Sequence, residues 1–166
     1  LKGVCRFQTQ TDPAFLPHTS FETSPIVING TMFLTGPLDQ VFAINAATCA
    51  ERWHYEPELT EINLLPLCCV FVNRGVAAGE GKIFVAQLDA KLVALDQRDG
   101  HVLWRVPATG NPKDDPRAGY SETMAPQYYK PATGNGLVIV GSSGAEFETK
   151  GRVTAFDAVT GVVRWQ

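Results

Sequence analysis

Three stretches of the chain repeat one template, and that repeat limits the available folds more than any other feature. They read VFAINAATCAERWHY from Val41, LVALDQRDGHVLWRV from Leu92 and VTAFDAVTGVVRWQ from Val153. Ala43, Ala94 and Ala155 share one column, and Asn45, Asp96 and Asp157 share another. Trp53, Trp104 and Trp165 each fall ten positions after that Ala. Between Asx and Trp lies a turn written Ala-Ala-Thr-Cys, Gln-Arg-Asp-Gly or Ala-Val-Thr-Gly. The Asx side chain can bond nearby backbone in such a turn, and Gly supplies a left-handed position. Cys49 stands where the other copies have Gly, so the first turn is expected to be differently shaped or mildly strained.

Upstream of each copy lies a second hairpin. PIVINGTMFLTG, GVAAGEGKIFVAQ and PATGNGLVIVGSS each hold two short apolar runs, around Asn29-Gly30, Glu80-Gly81 and Asn135-Gly136. Asn-Gly between apolar runs is a strong hairpin signal. Each unit therefore reads as four antiparallel strands, and no long segment has helical periodicity. Four-stranded units recurring at about 50–60 residues point to a β-propeller, one blade per unit. A sandwich of duplicated hairpins is the rival arrangement. The fold class expected is all-β, a partial β-propeller of about three four-stranded blades, with repeats at about 22–56, 68–107 and 123–166. Three blades do not close a ring of the usual ~4–8. The chain opens on LKGVCRF without Met and stops at VVRWQ, so it reads as a piece of a longer protein.

Composition narrows the function classes. At 166 residues and 45% hydrophobic, the chain is long enough for one modest domain. The net charge is −3, and no basic run suggests nucleic acid. No apolar segment approaches the ~20 residues of a membrane span. Cys5, Cys49, Cys68 and Cys69 show no CxxC or Cys/His spacing, which argues against a zinc site. Cys5 and Cys49 read as small buried hydrophobes. Cys68 and Cys69 are adjacent, with Cα atoms ~3.8 Å apart, below the ~4.4–6.8 Å that an ordinary disulfide spans. They are either two core thiols or a strained bridge kept for its local shape or redox behaviour.

Spacing from the hairpin glycines groups the unusual residues. Gly30 to Ala43 is 13 positions, as is Gly81 to Ala94, but Gly136 to Ala155 is 19. The six extra residues fall between the second and third strands of the third unit, where SSGAEFETKG fills the loop. Strands alternate in direction, so this loop opens at the same end as the segment leading into the first strand. The lead-in segments hold Glu22, then Cys68-Cys69 with Arg74, then Thr123. One end of the blades thus collects an Arg, two hydroxyls (Thr123, Ser143), the Gly144-Ala145 turn, the carboxylates of Glu22 and Glu146, and the cysteine pair. Taken singly, Arg74 is an ordinary surface charge and Thr123 is uninformative; their convergence on one end is the signal. Arg binds carboxylates bidentately, and hydroxyls and backbone N–H groups add donors, which suits a small polyanion. Glu22 and Glu146 would repel such a ligand unless one coordinates a hard cation or carries a proton.

At these residues the sequence resembles the N-terminal part of the pyrroloquinoline quinone (PQQ)-dependent alcohol dehydrogenases, the methanol-dehydrogenase-like quinoproteins. The resemblance runs over nearly the whole chain, through ETSPIVING, VFAINAAT, CC followed by VNRGVA, LVALDQRDGHVLW, GSSGAE and GRVTAFDAVTGVVRW. The Trp repeats indicate only a propeller; CCxxxNRG with GSSGAE is more specific. The resemblance implies an eight-bladed propeller whose Trp motifs lock adjacent blades. It implies a vicinal Cys68–Cys69 disulfide against one face of the planar PQQ, with Arg74 holding a ligand carboxylate beside it. Glu22, Thr123, Ser143, Gly144 and Ala145 would hydrogen-bond the quinone, and Glu146 would be a ligand to calcium or a lanthanide. The implied substrate is a small alcohol, the electron acceptor a cytochrome c-type protein, and the compartment the periplasm.

Two departures qualify the resemblance. The family often writes GVRG after GAE, whereas this chain has FETKG at 147–151, which places Glu148 and Lys150 beside the loop. The family's catalytic Asp base, Asn metal ligand, basic residue near the quinone oxygens and second-face Trp come from later blades. No catalytic base is expected within these residues, and the chain alone is expected to be inactive. A cofactor-free propeller scaffold resembling outer-membrane assembly factors would need neither the Cys pair nor the inserted loop. A sugar-oxidising quinoprotein is the other alternative.

Overall fold

The computed structural model describes residues 3–9, 14–59, 62, 65–67 and 69–166. Three four-stranded antiparallel sheets follow one another along the chain. The first holds β2 (Ile26–Ile28), β3 (Thr31–Thr35), β4 (Val41–Asn45) and β5 (Glu51–Tyr55). The second holds β7 (Ala77–Gly79), β8 (Lys82–Ala86), β9 (Lys91–Asp96) and β10 (Val102–Pro107). The third holds β11 (Gln127–Tyr129), β12 (Leu137–Gly141), β13 (Val153–Asp157) and β14 (Val163–Trp165). Each sheet is ordered as the chain runs, an up-and-down blade. Among the described residues no helix is long and apolar enough to cross a membrane.

Side-chain alternation explains why the sheets stack face to face. In β8, Ile83 and Val85 point toward the first sheet, packing with Phe33, Val41 and Ala43. Phe84 and Ala86 point the other way, toward Val138, Val140 and Phe156 of the third sheet. The middle blade is thus buried on both faces, which is why its strands read as almost unbroken apolar runs.

The repeated Ala and Trp are cross-strand partners: Ala43 lies opposite Trp53, Ala94 opposite Trp104 and Ala155 opposite Trp165. A methyl side chain at the Ala leaves room for the indole across the ladder. The Asx residue closes each turn as expected. Asn45 Oδ1 accepts from the N–H groups of Ala47 and Thr48, and Asp157 Oδ1 from those of Val159 and Thr160.

The structure chooses the second of the two alternatives for the first turn, and it corrects the reading of Cys5 and Cys49. Cys49 adopts the left-handed conformation of its glycine counterparts, with φ 58° against 79° at Gly100 and 73° at Gly161. The first turn therefore has the same shape as the others. Nor are Cys5 and Cys49 buried hydrophobes: they form a disulfide, with Cα atoms 5.8 Å apart, at a largely solvent-facing site. The sequence pattern gave no sign of it because the partners are 44 positions apart and only the fold brings them together.

The third hairpin also differs. Asn29-Gly30 and Glu80-Gly81 each have two consecutive positive φ angles, the mirror-image turn that suits tight hairpins. In the third unit the positive φ falls at Gly134, and the loop runs over residues 130–136. Asn135 instead turns its amide onto the Asp157 carboxylate, at 3.0 and 3.1 Å.

Candidate functional site

A short parallel pair builds one end of the stack. β1 (Thr19–Ser24) runs alongside β6 (Phe71–Gly75), with Phe21 opposite Asn73 and Ser24 opposite Gly75. This pairing was not evident in the sequence, where both segments read as lead-ins to their blades. It sets Glu22 and Arg74 side by side on adjacent strands.

Arg74 is the centre of the cluster. Its Nη2 lies 3.0 Å from Glu22 Oε2, and its Nη1 donates to Thr123 Oγ1 at 2.7 Å. The Arg74 backbone N–H also donates to the Thr123 carbonyl oxygen at 3.0 Å. One guanidinium therefore joins lead-in residues of all three repeats. The Arg74 and Glu22 side chains remain 40% and 43% exposed, so a ligand can reach the pair from solvent. Thr123 is buried, and both its hydroxyl and its carbonyl oxygen accept from Arg74.

The inserted loop reaches the same end through Ser143. Its N–H and its Oγ both donate to the Ser121 carbonyl oxygen, at 3.0 and 2.6 Å, only two residues from Thr123. Gly144 follows with φ 110°, and Ala145–Phe147 form one 3-10 turn. The bonds closing that turn come from the N–H groups of Phe147 and Glu148, which leaves those of Gly144 and Ala145 outside them. Glu146 is on the exposed side of the turn.

The expected site residues thus divide into groups. Arg74 contacts both Glu22 and Thr123, and Ser143, Gly144, Ala145 and Glu146 follow along the loop anchored at Ser121. Cys69 is exposed, disulfide-bonded and two residues before β6. Cys68 lies outside the described residues.

Sequence reasoning assigned no role to residues 110–122, and the structure gives them one. Gly119 packs directly on Gly144 and Phe147: a Cβ added at either glycine would collide with the other segment. Arg152, at the foot of the loop, pairs with Asp114 and lies 5.9 Å over the Tyr120 ring. Asp115 caps the 3-10 turn Pro116–Ala118 through its side chain. The segment is the surface against which the inserted loop is set. Two glycines separated by 25 positions carried no local signal of that contact.

Glu122 is the other residue missed. It is fully buried between Ser121 and Thr123, and neither carboxylate oxygen has a hydrogen-bond partner among the described residues. Burial pushes its carboxyl up to about 9, so it is neutral near pH 7.

Chemically, this end presents the Arg74 guanidinium, the hydroxyls of Thr123 and Ser143, and the exposed carboxylates of Glu22 and Glu146, the last carried by a glycine-shaped loop. Such a set fits a ligand with several carboxylates together with a hard cation.

Comparison with known proteins agrees with the geometry. The family model for the PQQ glucose/ethanol/alcohol dehydrogenase β-propeller domain matches residues 1–166. Quinohemoprotein alcohol dehydrogenase ADH-IIG of Pseudomonas putida is 39% identical over 145 residues, covering 87% of this chain and 19% of that protein. 1-Butanol dehydrogenase (cytochrome c) of Thauera butanivorans is 40% identical over 136 residues, covering 82% of this chain and 18% of that protein. Among solved structures, the quinohemoprotein alcohol dehydrogenase of Comamonas testosteroni superposes with a TM-score of 0.78 at 32% identity, covering 89% of this chain and 21% of the other. A europium-containing methanol dehydrogenase gives 0.74 at 32% identity, covering 89% and 24%. The chain spans about a fifth of the length of the curated relatives it matches. With its three blades and its match along the whole length, the chain belongs to the PQQ-dependent glucose/ethanol/alcohol dehydrogenase β-propeller family.

Proposed function

We propose that these residues are the cofactor-holding part of a PQQ-dependent alcohol dehydrogenase that oxidises a primary alcohol to an aldehyde. The observation that carries the reading is the single guanidinium of Arg74 joining Glu22 and Thr123 at an exposed end of the blades. Bound PQQ would supply a hydride acceptor, with a metal ion polarising its reactive carbonyl.

The chain's own residues act by holding and orienting. Arg74 binds a ligand carboxylate as a planar fork, and its contacts with Glu22 and Thr123 fix the direction of that fork. Thr123 and Ser143 would add hydroxyls, and the N–H groups of Gly144 and Ala145 would donate to a carboxylate or quinone oxygen. Glu146 offers one hard oxygen ligand to calcium or a lanthanide, a choice that the europium in one relative leaves open to either. A Cys68–Cys69 disulfide would form the flat wall on one side of the ring system. We assign the alcohol-activating base to none of these residues, so the segment alone is expected not to turn over.

The electron acceptor proposed is a cytochrome c-type protein, and the compartment the periplasm. The Cys5–Cys49 disulfide supports an oxidising compartment. Calorimetric titration of the full-length gene product with PQQ and calcium tests the reading. Binding that is weakened in Arg74→Ala and Glu146→Ala is the expected result; absent binding, or binding unchanged in both variants, defeats it.

A further inference from the structure

We infer that Asp39 is a positioning residue for Arg74, acting from the neighbouring blade through Asn73; the inference deepens the reading of Arg74 as a cofactor ligand and rests on it. Asp39 lies in the loop between β3 and β4, wholly buried, with φ 63°. Its Oδ1 accepts from Asn73 Nδ2 at 2.7 Å, and its Oδ2 accepts from the Leu88 N–H at 2.7 Å. One carboxylate thereby links the first blade, the second blade and β6.

Asn73 passes that restraint on. Its amide nitrogen also donates to the Ala86 carbonyl oxygen at 2.8 Å, and its Oδ1 accepts from the Gly75 N–H at 3.0 Å. The Asn73 carbonyl oxygen receives the Thr35 hydroxyl at 3.3 Å. The backbone is therefore pinned immediately before and immediately after Arg74. Side chains alternate along a strand, so fixing Asn73 inward fixes Arg74 outward, toward Glu22 and Thr123. Gly75 itself leaves no slack: its φ is 128°, and a Cβ there would stand 2.9 Å from the Ser24 carbonyl oxygen.

The arrangement is costly for a purely structural link. Burial drives the Asp39 carboxyl well above its ordinary range, the Asn73 and Leu88 donors draw it back, and the nearby Asp89 adds to the rise. An apolar residue at position 39 would avoid that cost but strand the Leu88 N–H and one Asn73 N–H. What the carboxylate supplies is a pair of acceptor oxygens reaching from one blade to the strand that carries Arg74.

The test is a double-mutant cycle in the full-length protein, read by PQQ titration calorimetry and by crystal structures of the variants. Asp39→Ala is expected to weaken PQQ binding about tenfold and to separate the Arg74 guanidinium from Thr123 Oγ1. Asp39→Asn keeps one acceptor oxygen, so its effect should be intermediate; it also serves as the informative variant if Asp39→Ala does not fold. In an Arg74→Ala background the Asp39 substitutions should have no further effect on affinity, which a general loss of stability would not reproduce. The inference is overturned if Asp39 variants weaken binding equally with and without Arg74, or if Arg74 keeps its contact with Thr123 in Asp39→Ala and Asp39→Asn. If Arg74 is displaced but Arg74→Ala leaves PQQ affinity unchanged, the positioning stands and the cofactor role of Arg74 falls.

Discussion

The indole of Trp53 lies directly on the turn glycine of the next blade, Gly100, so closely that a Cβ at Gly100 would stand 2.5 Å from Trp53 Cε3. The indole N–H reaches the Gln97 carbonyl oxygen of the same turn at 3.2 Å. Trp104 repeats the relationship on Gly161. These joints dock each blade to the next. Gly100→Ala adds a methyl against the ring and also forces a non-glycine residue to φ 79°. A loss of roughly 2–4 kcal/mol is expected, the sum of about 1–2 for the left-handed backbone and a comparable overpacking cost. Gly30→Ala is the comparison, since φ is 74° there but nothing lies within 4 Å of the added Cβ. Urea denaturation of both variants should show the larger loss at Gly100; equal losses would remove the docking role.

How much of this could be read beforehand depends on whether the signal is local. The Asx turns, the Ala–Trp columns and the alternating strands are set by neighbours within about ten residues, and they gave the blades directly. The grouping of Glu22, Arg74 and Thr123 followed from strand direction alone. The β1–β6 pairing, the Cys5–Cys49 bridge and the Gly119–Gly144 contact join segments 25 to 52 positions apart, counted from Gly119 to Gly144 and from Thr19 to Phe71. No short-range pattern encodes them. Asn135-Gly136 misled for a related reason: the Asn amide is claimed by Asp157 on another strand, and that tertiary bond outweighs the local turn preference.

Glu122 makes stability depend on pH in an unusual direction. Its carboxyl is raised from an ordinary 4.5 to about 9 by burial. Between those values the folded protein holds a proton that the unfolded chain has released, so stability falls as pH rises through the window. The slope from this one group is about 1.4 kcal/mol per pH unit. Glu122→Gln keeps the shape without the titration, and it should be more stable than the parent at pH 8 and nearly equal to it near pH 5. Urea midpoints of the two proteins at unit pH steps measure the difference; parallel curves would mean that Glu122 does not hold its proton.

The Cys5–Cys49 bridge ties residues 3–9 onto the first blade, where Phe7 packs edge-on against Phe42 with ring centroids 5.3 Å apart. Closing a loop of 44 residues restricts the unfolded chain, an effect of about 4 kcal/mol in the chain-entropy picture. Replacing both cysteines by Ser should therefore cost about 2–4 kcal/mol. The double variant Cys5→Ser/Cys49→Gly should recover about 1 kcal/mol of that loss, because glycine relieves the φ of 58° that Cys49 adopts. Thermal midpoints of the three proteins decide it; a Cys49→Gly variant no better than Cys49→Ser would show that the turn carries no backbone strain.

Gly144 sets how closely the inserted loop approaches Gly119. Its φ is 110°, and a Cβ would collide with the Gly119 carbonyl oxygen while standing 2.9 Å from Thr149 Oγ1. Neither obstacle is the flexible end of a long side chain, so Gly144→Ala must displace the loop itself. Displacement strains the Ser143–Ser121 bonds and moves the Gly144 and Ala145 N–H groups and Glu146 with the loop. Because the loop is an insertion outside the blade ladders, the global cost should stay near 1–2 kcal/mol. The cofactor contacts should suffer more, with PQQ affinity in the full-length protein falling at least tenfold and calcium binding weakening with it. Gly151→Ala is the matched control, with open space around the added methyl and no positive φ, and should behave as the parent. Titration of the two variants separates loop position from loop composition: if Gly144→Ala binds PQQ as Gly151→Ala does, the inserted loop takes no part in holding the cofactor.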